Sequence, residues 1–343
     1  MTDNTTNVKH IHVLGAGRMG QGIALAFAFA GLRVTLIDFK ERNVQARAAF
    51  AAAALGEIGR QLRTQVDFGR IDAGQADEAL ARVEVVDRAS AQAALEACEI
   101  VFEAVPEVMA AKEAALAWAC AHIGEEATIA STTSTFLVTD LQKVVTHPQR
   151  LVNAHWLNPA HLMPLVEISR SSLTDDAVVE RMKDLLRRVG KVPVECAPSA
   201  GYIVPRLQAL VMNEAARMVE EGVASAHDID TAVRTGFGLR FSILGLLEFI
   251  DWGGCDILYY ASRYLAKEIG PRFEAADIVA RHMEAGRDGI RDGRGFYDYA
   301  DVEVPAYVKR RIGEFGQLLE HLGLAPRYDA ANEVQRNQTT TRT

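Results

Sequence analysis

Short apolar runs alternate with longer segments of helical periodicity through the first half of the chain. The runs predict strands at residues 10–14, 33–37, 83–86, 100–105, 128–131, 151–156, 165–168 and 192–195. Helical spacing predicts helices that end near residue 30, fill most of 41–82, and cover 89–97, 108–123 and 175–189. Strands and helices that alternate in this way predict an α/β fold.

From residue 202 the pattern changes to helices alone, predicted at 203–221, 226–235, 244–250, 255–268, 275–286 and 305–322. A glycine-rich link at 236–238 and a loop at 293–297 separate some of them. We therefore predict a Rossmann dinucleotide-binding domain at 1–198, with a helical insertion at about 41–82. An all-helical domain for substrate binding and dimerisation is predicted at 199–325, and a polar, disordered tail at 326–343.

The sequence GAGRMG follows the first strand and opens the first helix. Gly15 permits the tight turn, Gly17 lets backbone approach a pyrophosphate, and Gly20 lets helix and strand pack closely. Asp38 ends the second strand, where it can accept hydrogen bonds from the adenosine ribose and repel a 2′-phosphate. NAD is therefore favoured over NADP, although Lys40 softens that preference. The alternative is a glycine-rich turn in another kind of α/β domain.

Composition narrows the class of protein further. The 343 residues carry a formal charge of −8, which argues against general nucleic-acid binding. The longest uncharged apolar run, 23–32, is too short to span a bilayer, and no signal-peptide pattern opens the chain, so we expect a cytoplasmic protein. The four cysteines are far apart in sequence, which predicts free thiols rather than disulfides or a metal site.

His155 and Glu167 are the strongest candidates for chemistry. If the strands at 151–156 and 165–168 form a hairpin across Asn158, the two side chains can meet on one face. A carboxylate that accepts from one imidazole nitrogen leaves the other free to take an alcohol proton. A structural histidine beside an unrelated glutamate is the alternative, and His161 is a second candidate for the base.

Other polar residues follow the predicted strands. Ser134 could bind the substrate oxygen or the nicotinamide, or cap the next helix, and Asn158 could orient either partner or only form a turn. Glu107 and Lys112 follow the fourth strand, near the expected nicotinamide ribose, or simply start a solvated helix. Arg240 precedes an apolar run and could bind a carboxylate bidentately, or be a surface residue.

Taken together, these motifs resemble the L-3-hydroxyacyl-CoA dehydrogenase family over about residues 8–300. The matching pieces are GAGRMG, FEAVPE with Lys112, STTST, HWLNP, PLVEI, GYIVPRL, EEGVAS with HDIDTAV, and GRGFYDY. The resemblance implies NAD(H), oxidation of a 3-hydroxyl to a ketone in fatty acid metabolism, and a homodimer. It implies His155 as acid/base, Glu167 as its partner, and Ser134 and Asn158 at the reacting centre. The implied cofactor contacts are Gly15, Gly17, Arg18, Met19, Gly20, Asp38, Glu107, Lys112, Ser134, Asn158 and Arg291.

Two positions depart from the family pattern. Pro205 stands where the family usually has an asparagine that helps hold the substrate carbonyl, and Thr132 replaces another asparagine. The stretch GFGLRFSILG, which contains Arg240, is more similar to relatives that act on free small acids, such as gulonate and carnitine dehydrogenases. A short acyl-CoA is the first expected substrate, and a free hydroxy acid anchored by Arg240 is the alternative. A non-catalytic dinucleotide-binding protein is a third hypothesis.

Overall fold

The structure is a computed structural model that describes residues 8–326. The chain divides into two compact units, Met1–Asn213 and Glu214–Thr343. The tail predicted to be disordered lies outside the described residues from 327 onward.

The first unit is built on one twisted sheet. Within residues 8–213 the strands are β1 (His10–Leu14), β2 (Arg33–Asp38), β3 (Val83–Asp87), β4 (Ile100–Glu103), β5 (Thr128–Ser131), β6 (Leu151–Trp156), β7 (Leu165–Ser169) and β8 (Val192–Cys196). Their order across the sheet is β3-β2-β1-β4-β5-β6-β7-β8. Neighbouring strands are parallel except β6 and β7, which are antiparallel. The predicted Rossmann fold is confirmed.

Helices cover both faces of this sheet. They are α1 (Arg18–Phe29), α2 (Val44–Asp67), α3 (Ala73–Ala81), α4 (Gln92–Leu95), α5 (Met109–Cys120), α6 (Val138–Leu141) and α7 (Asp176–Arg188). One apolar core joins the sheet to α1, α2, α3 and α7, and a second joins the other face to α4, α5 and α6. The helix predicted at 89–97 is only one turn, because Asp87 accepts a hydrogen bond from the Ser90 amide and holds a turn before it.

Helix α8 (Val204–Glu220) begins in the first unit and ends in the second. The second unit is helical within its described residues, with α9 (Ala226–Ala232), α10 (Gly238–Ile243), α11 (Leu246–Gly253), α12 (Cys255–Glu268), α13 (Asp277–Glu284) and α14 (Val304–His321).

The glycine-rich link predicted at 236–238 is wrong. A π-helical segment, Val233–Phe237, joins α9 directly to α10, so the chain stays helical through the glycines. Phe237 and Phe241 lie four residues apart with ring centroids 4.7 Å apart, and Phe241 also contacts Phe249. These aromatic contacts offset the low helix propensity of glycine.

The loop at 293–297 is held by one buried carboxylate. Asp251 is 1 % exposed and accepts hydrogen bonds from the Phe296 and Tyr297 amides and the Tyr299 hydroxyl. Among residues 8–326, no helix is long and apolar enough to cross a membrane.

Candidate active site

The glycine loop between β1 and α1 has the shape that a pyrophosphate requires. Gly15 has a φ of +104°, and a Cβ on it would lie 2.5 Å from the Ala104 carbonyl oxygen. A Cβ on Gly20 would collide with the Gly15 carbonyl, whereas one on Gly17 would meet no atom within 4 Å. The outer glycines are thus needed for packing, and Gly17 leaves open space beside the N-terminus of α1, where an anion is favoured.

This loop forms one wall of a cleft of about 560 Å³. Many of the residues predicted to bind the cofactor line this cleft, namely Gly15, Gly17, Arg18, Met19, Asp38, Glu107, Ser134 and Asn158. Lys40, Arg42 and Thr132 line it as well. The cleft lies at the carboxyl ends of the parallel strands, where ligands bind in open α/β sheets. The residues therefore fit a dinucleotide.

Asp38 is already paired within the protein. Its carboxylate is 4 % exposed and accepts hydrogen bonds from Arg42 Nε at 2.5 Å and the Lys40 amide at 3.3 Å. The Arg42 guanidinium lies 4.1 Å from the ring centroid of Phe50. Sequence reasoning missed Arg42, although its position four residues after the strand-ending acid is a usable signal. The guanidinium neutralises the carboxylate that was predicted to repel a 2′-phosphate.

Lys112 lies inside the protein rather than along the cleft. It is 0 % exposed, and its Nζ lies 3.0 Å and 3.1 Å from the two carboxylate oxygens of Glu103 and 3.3 Å from Glu107. Glu103 also accepts hydrogen bonds from the Ser131 hydroxyl and the Val105 amide. Lys112 does not line the cleft, contrary to the expected direct contact with the cofactor, whereas its ion-pair partner Glu107 does.

Glu107 organises the loop that follows β5. Its Oε1 accepts hydrogen bonds from Thr133 Oγ1 at 2.5 Å and from the Ser134 and Thr135 amides at 3.1 Å and 2.9 Å. Partial burial opposes ionisation, but the Thr133 hydrogen bond and the Lys112 charge outweigh it and hold the pKa of Glu107 below its usual range. The ionised carboxylate thus fixes the backbone on either side of Ser134.

His155 and Glu167 occupy directly paired positions on β6 and β7. His155 Nδ1 lies 2.8 Å from Glu167 Oε2, and the two side chains are 5 % and 0 % exposed. The other oxygen of Glu167 accepts hydrogen bonds from the Ile203 and Val204 amides at 2.8 Å and 2.9 Å. A carboxylate with these donors assigns the proton to Nδ1, and Nε2 makes no hydrogen bond within residues 8–326.

Tyr202 is a functional candidate that sequence reasoning missed. Its ring stacks on His155, and its hydroxyl donates to the Thr133 carbonyl at 2.7 Å and accepts from Asn153 Nδ2 at 3.1 Å. Tyr202 adopts a φ of +47°, an uncommon backbone conformation for a bulky residue, and burial raises the pKa of its hydroxyl. The only sequence signal is an aromatic residue directly after Gly201.

Ser134 and Asn158 are exposed side chains that line the same cleft. Ser134 does not cap the helix after it, because the N-cap of α6 is Leu137. His161 does not line this cleft. It borders a separate cavity behind the loop that joins β6 to β7.

The two predicted arginines of the second unit have partners there. Arg240 is exposed on α10, and its guanidinium lies 4.6 Å from the Phe249 ring centroid. Arg291 makes an ion pair of 2.7 Å with Asp256.

A parallel sheet, a glycine-rich anion loop and a histidine braced by a carboxylate are together typical of NAD-dependent dehydrogenases. Residues 10–199 match the NAD binding domain of 3-hydroxyacyl-CoA dehydrogenase, and residues 201–299 match its C-terminal domain. The chain belongs to the 3-hydroxyacyl-CoA dehydrogenase family, as the sequence motifs predicted.

Individual relatives agree with this assignment. The chain is 31 % identical to a 3-hydroxybutyryl-CoA dehydrogenase of Mycobacterium tuberculosis over 295 residues, which cover 85 % of this chain and 99 % of that protein. It is 28 % identical to the 5-formyl-3-hydroxy-2-methylpyridine 4-carboxylate 5-dehydrogenase of Mesorhizobium japonicum, with 89 % and 95 % covered. The crystal structure of a 3-hydroxyacyl-CoA dehydrogenase of Archaeoglobus fulgidus superposes with a TM-score of 0.72 at 32 % identity, with 92 % and 99 % covered.

Proposed function

We propose that this protein catalyses the reversible NAD-dependent oxidation of the 3-hydroxyl group of an L-3-hydroxyacyl-CoA, with 3-hydroxybutyryl-CoA as the first substrate to test. The 2.8 Å hydrogen bond between His155 and Glu167 carries the proposal, because it leaves Nε2 free near the carboxyl end of β6, three residues before Asn158, which lines the cleft. The named activities of relatives at about 30 % identity support the substrate class.

His155 acts as the base in this proposal. As the C3–H bond breaks, the hydroxyl proton passes to Nε2 and the C3–O bond becomes a carbonyl. NAD+ supplies the hydride acceptor when it is bound. Glu167 stabilises the imidazolium through Nδ1, and the two amides on its other oxygen keep the carboxylate in place. The proton later leaves to solvent, and the reverse reaction uses the imidazolium as an acid.

Ser134 and Asn158 are proposed to orient the substrate hydroxyl and the nicotinamide, since both line the cleft. Glu107 sets the backbone of Ser134, and Lys112 sets Glu107, so both act as positioning residues. Gly15, Gly17, Gly20, Arg18 and Met19 are proposed to form the pyrophosphate site. Asp38 is proposed to bind the adenosine ribose.

The test is turnover of L-3-hydroxybutyryl-CoA with NAD+, followed by NADH absorbance, for the wild type and His155→Ala. We expect His155→Ala to lower turnover by about 10²–10⁴ while NADH binds with nearly unchanged affinity. Turnover left unchanged by the substitution would remove His155 from the mechanism.

A free hydroxy acid is the second candidate substrate. The M. japonicum relative is named for a pyridine carboxylate, and Arg240 makes no ion pair within the described residues. Arg240→Ala should abolish oxidation of a free acid such as gulonate or carnitine and spare a CoA ester. Activity on the CoA ester alone in the wild type would exclude this candidate.

We further propose a homodimer formed through the helical second unit. Ile257, Tyr260 and Tyr264 lie on one face of α12 and are each at least 60 % exposed, an apolar stripe typical of an association surface. Tyr260→Glu should convert the dimer to a monomer in light scattering.

All four cysteines are free, which supports a reducing compartment such as the cytoplasm.

A further inference from the structure

A second cavity, of about 250 Å³, lies in the first unit and shares no lining residue with the nucleotide cleft. Four elements line it: α1, the end of α2 with the turn after it, the loop between β6 and β7, and the chain entering β8. The lining residues are Leu25, Ala26, Phe29, Gln65, Arg70, His161, Leu162, Pro164, Val189, Gly190 and Lys191.

The lining holds three basic side chains and no acidic one, in a chain of net charge −8. Within residues 8–326, none of Arg70, His161 and Lys191 forms an ion pair. Arg70 donates to Gln65 Oε1 at 3.0 Å. Lys191 is 7 % exposed, and its Nζ donates only to two backbone carbonyls, at 2.7 Å and 2.8 Å. Three basic groups, of which Arg70 is exposed, therefore border one open pocket without a counter-ion.

The absence of a counter-ion makes positive charge unfavourable there. Burial lowers the pKa of Lys191, and burial together with the nearby Lys191 charge lowers the pKa of His161. A bound anion would relieve this repulsion and favour the charged forms. Apart from Gln65, the rest of the wall is apolar and includes Leu25, Phe29 and Val189.

We propose that this cavity binds a small organic monocarboxylate that has a short apolar chain. The carboxylate is held by Arg70 and His161, and the ammonium of Lys191, whose Nζ donates to two carbonyls and lies 5.3 Å from the Trp156 ring centroid, adds nearby positive charge. The chain of the ligand packs on the apolar wall. The volume is below that of most drug-sized sites, which limits the ligand to a few carbons.

The location of the cavity connects it to the candidate active site. His161 belongs to the loop that joins Trp156, the end of β6, to Leu165, the start of β7. Ala160 of this loop also packs on α1, since a Cβ on Gly22 would lie 3.0 Å from the Ala160 Cβ. A bound carboxylate would thus contact the loop that connects the strands of His155 and Glu167, and we expect occupancy to alter turnover.

Calorimetry on the full chain with hexanoate tests the proposal, with hexan-1-ol as the uncharged analogue and sulfate as the inorganic anion. We expect one saturable site for hexanoate, no binding of hexanol, and weaker binding of sulfate. Arg70→Gln and His161→Gln should each weaken hexanoate binding by about tenfold or more, since each removes a hydrogen bond to a charged group. Arg63→Gln is the matched control, because Arg63 lies on α2 outside the cavity.

Proton uptake gives an independent readout. The charged side chains that line the cavity are Arg70, His161 and Lys191, so hexanoate should bind more tightly as the pH falls and His161 becomes charged. Failure of hexanoate to saturate, an affinity in both variants equal to that of the wild type, or competition by NADH would each overturn the proposal. Binding is measured without turnover, so this result is independent of the proposed dehydrogenase activity.

Discussion

The ring of Tyr202 lies almost parallel to the imidazole of His155, with centroids 4.8 Å apart and 10° between the planes. An aromatic pair of this kind contributes about 0.5–1.5 kcal/mol beyond simple burial. Because the Tyr202 hydroxyl also donates a hydrogen bond to the Thr133 carbonyl, Tyr202 connects the histidine to the loop that carries Ser134. We therefore expect Tyr202 to position both the imidazole and this loop.

We predict that Tyr202→Leu lowers kcat by up to about tenfold, the rate equivalent of the lost stack, without changing NADH affinity. Tyr202→Phe keeps the ring and should restore most of kcat, at a cost to stability of about 1 kcal/mol for the lost hydrogen bonds. Steady-state kinetics and NADH titration measure both. Equal kcat in the Leu and Phe variants would assign Tyr202 a purely structural role.

Glu167→Gln should lower kcat by about 10² or more while leaving KM nearly unchanged. The amide cannot compensate a positive imidazole, and its NH2 group can face Nδ1 and favour the other tautomer. Single-turnover kinetics with 3-hydroxybutyryl-CoA separate this loss from product release. Glu195→Gln, on the neighbouring strand β8 at an exposed position, is the control and should behave as wild type.

Asp38 and Arg42 should affect cofactor choice in opposite directions. Asp38→Ala removes hydrogen bonds from the ribose, so NADH should bind roughly tenfold to a hundredfold more weakly, and the difference in affinity between NADH and NADPH should become smaller. Arg42→Ala removes the charge that neutralises Asp38, so this difference in affinity should become larger. Fluorescence titration with both cofactors measures the ratio, and an unchanged ratio in both variants would contradict the ribose assignment.

The buried pair of Lys112 and Glu103 should matter more for stability than any surface pair. Lys112→Met leaves the Glu103 carboxylate buried without its cation, which costs about 3–5 kcal/mol. Adding Glu103→Gln should recover part of that loss. Lys143→Met breaks the exposed pair with Asp140 and should change the free energy of unfolding by at most about 1 kcal/mol. Denaturant unfolding of the three variants provides the comparison.

Local pattern was sufficient to predict most of the sheet. The strands predicted at 128–131 and 151–156 coincide with β5 and β6, because both are buried along their whole length and contain no Asp, Glu, Lys or Arg. The meeting of His155 and Glu167 was also predictable, since a short antiparallel connection determines which residues lie opposite each other.

Contacts between distant segments could not be predicted in the same way. Tyr202 reaches His155 from 47 positions further along the chain, and no periodicity encodes the stacking. The sequence around Lys112 is typical of an exposed helix position, yet its side chain lies in the interior and donates a hydrogen bond to Glu103. The helical path through Gly236 depends on aromatic packing that outweighs local propensity.

His12 should make the protein sensitive to acid. It is 2 % exposed, neither ring nitrogen has a hydrogen-bond partner, and its ring centroid lies 4.4 Å from that of His10. Burial, with a contribution from the charge of His10, lowers the pKa of His12 from 6.5 to about 4.

His12 therefore binds a proton less readily in the folded state than in the unfolded state. Stability is unaffected above pH 6.5, is lost as the pH falls from 6.5 to about 4, and levels off below that. The loss from this group is about 3 kcal/mol. His12→Leu should remove it, so urea unfolding measured across that range should show a flatter pH dependence in the variant, and parallel curves would contradict the assignment.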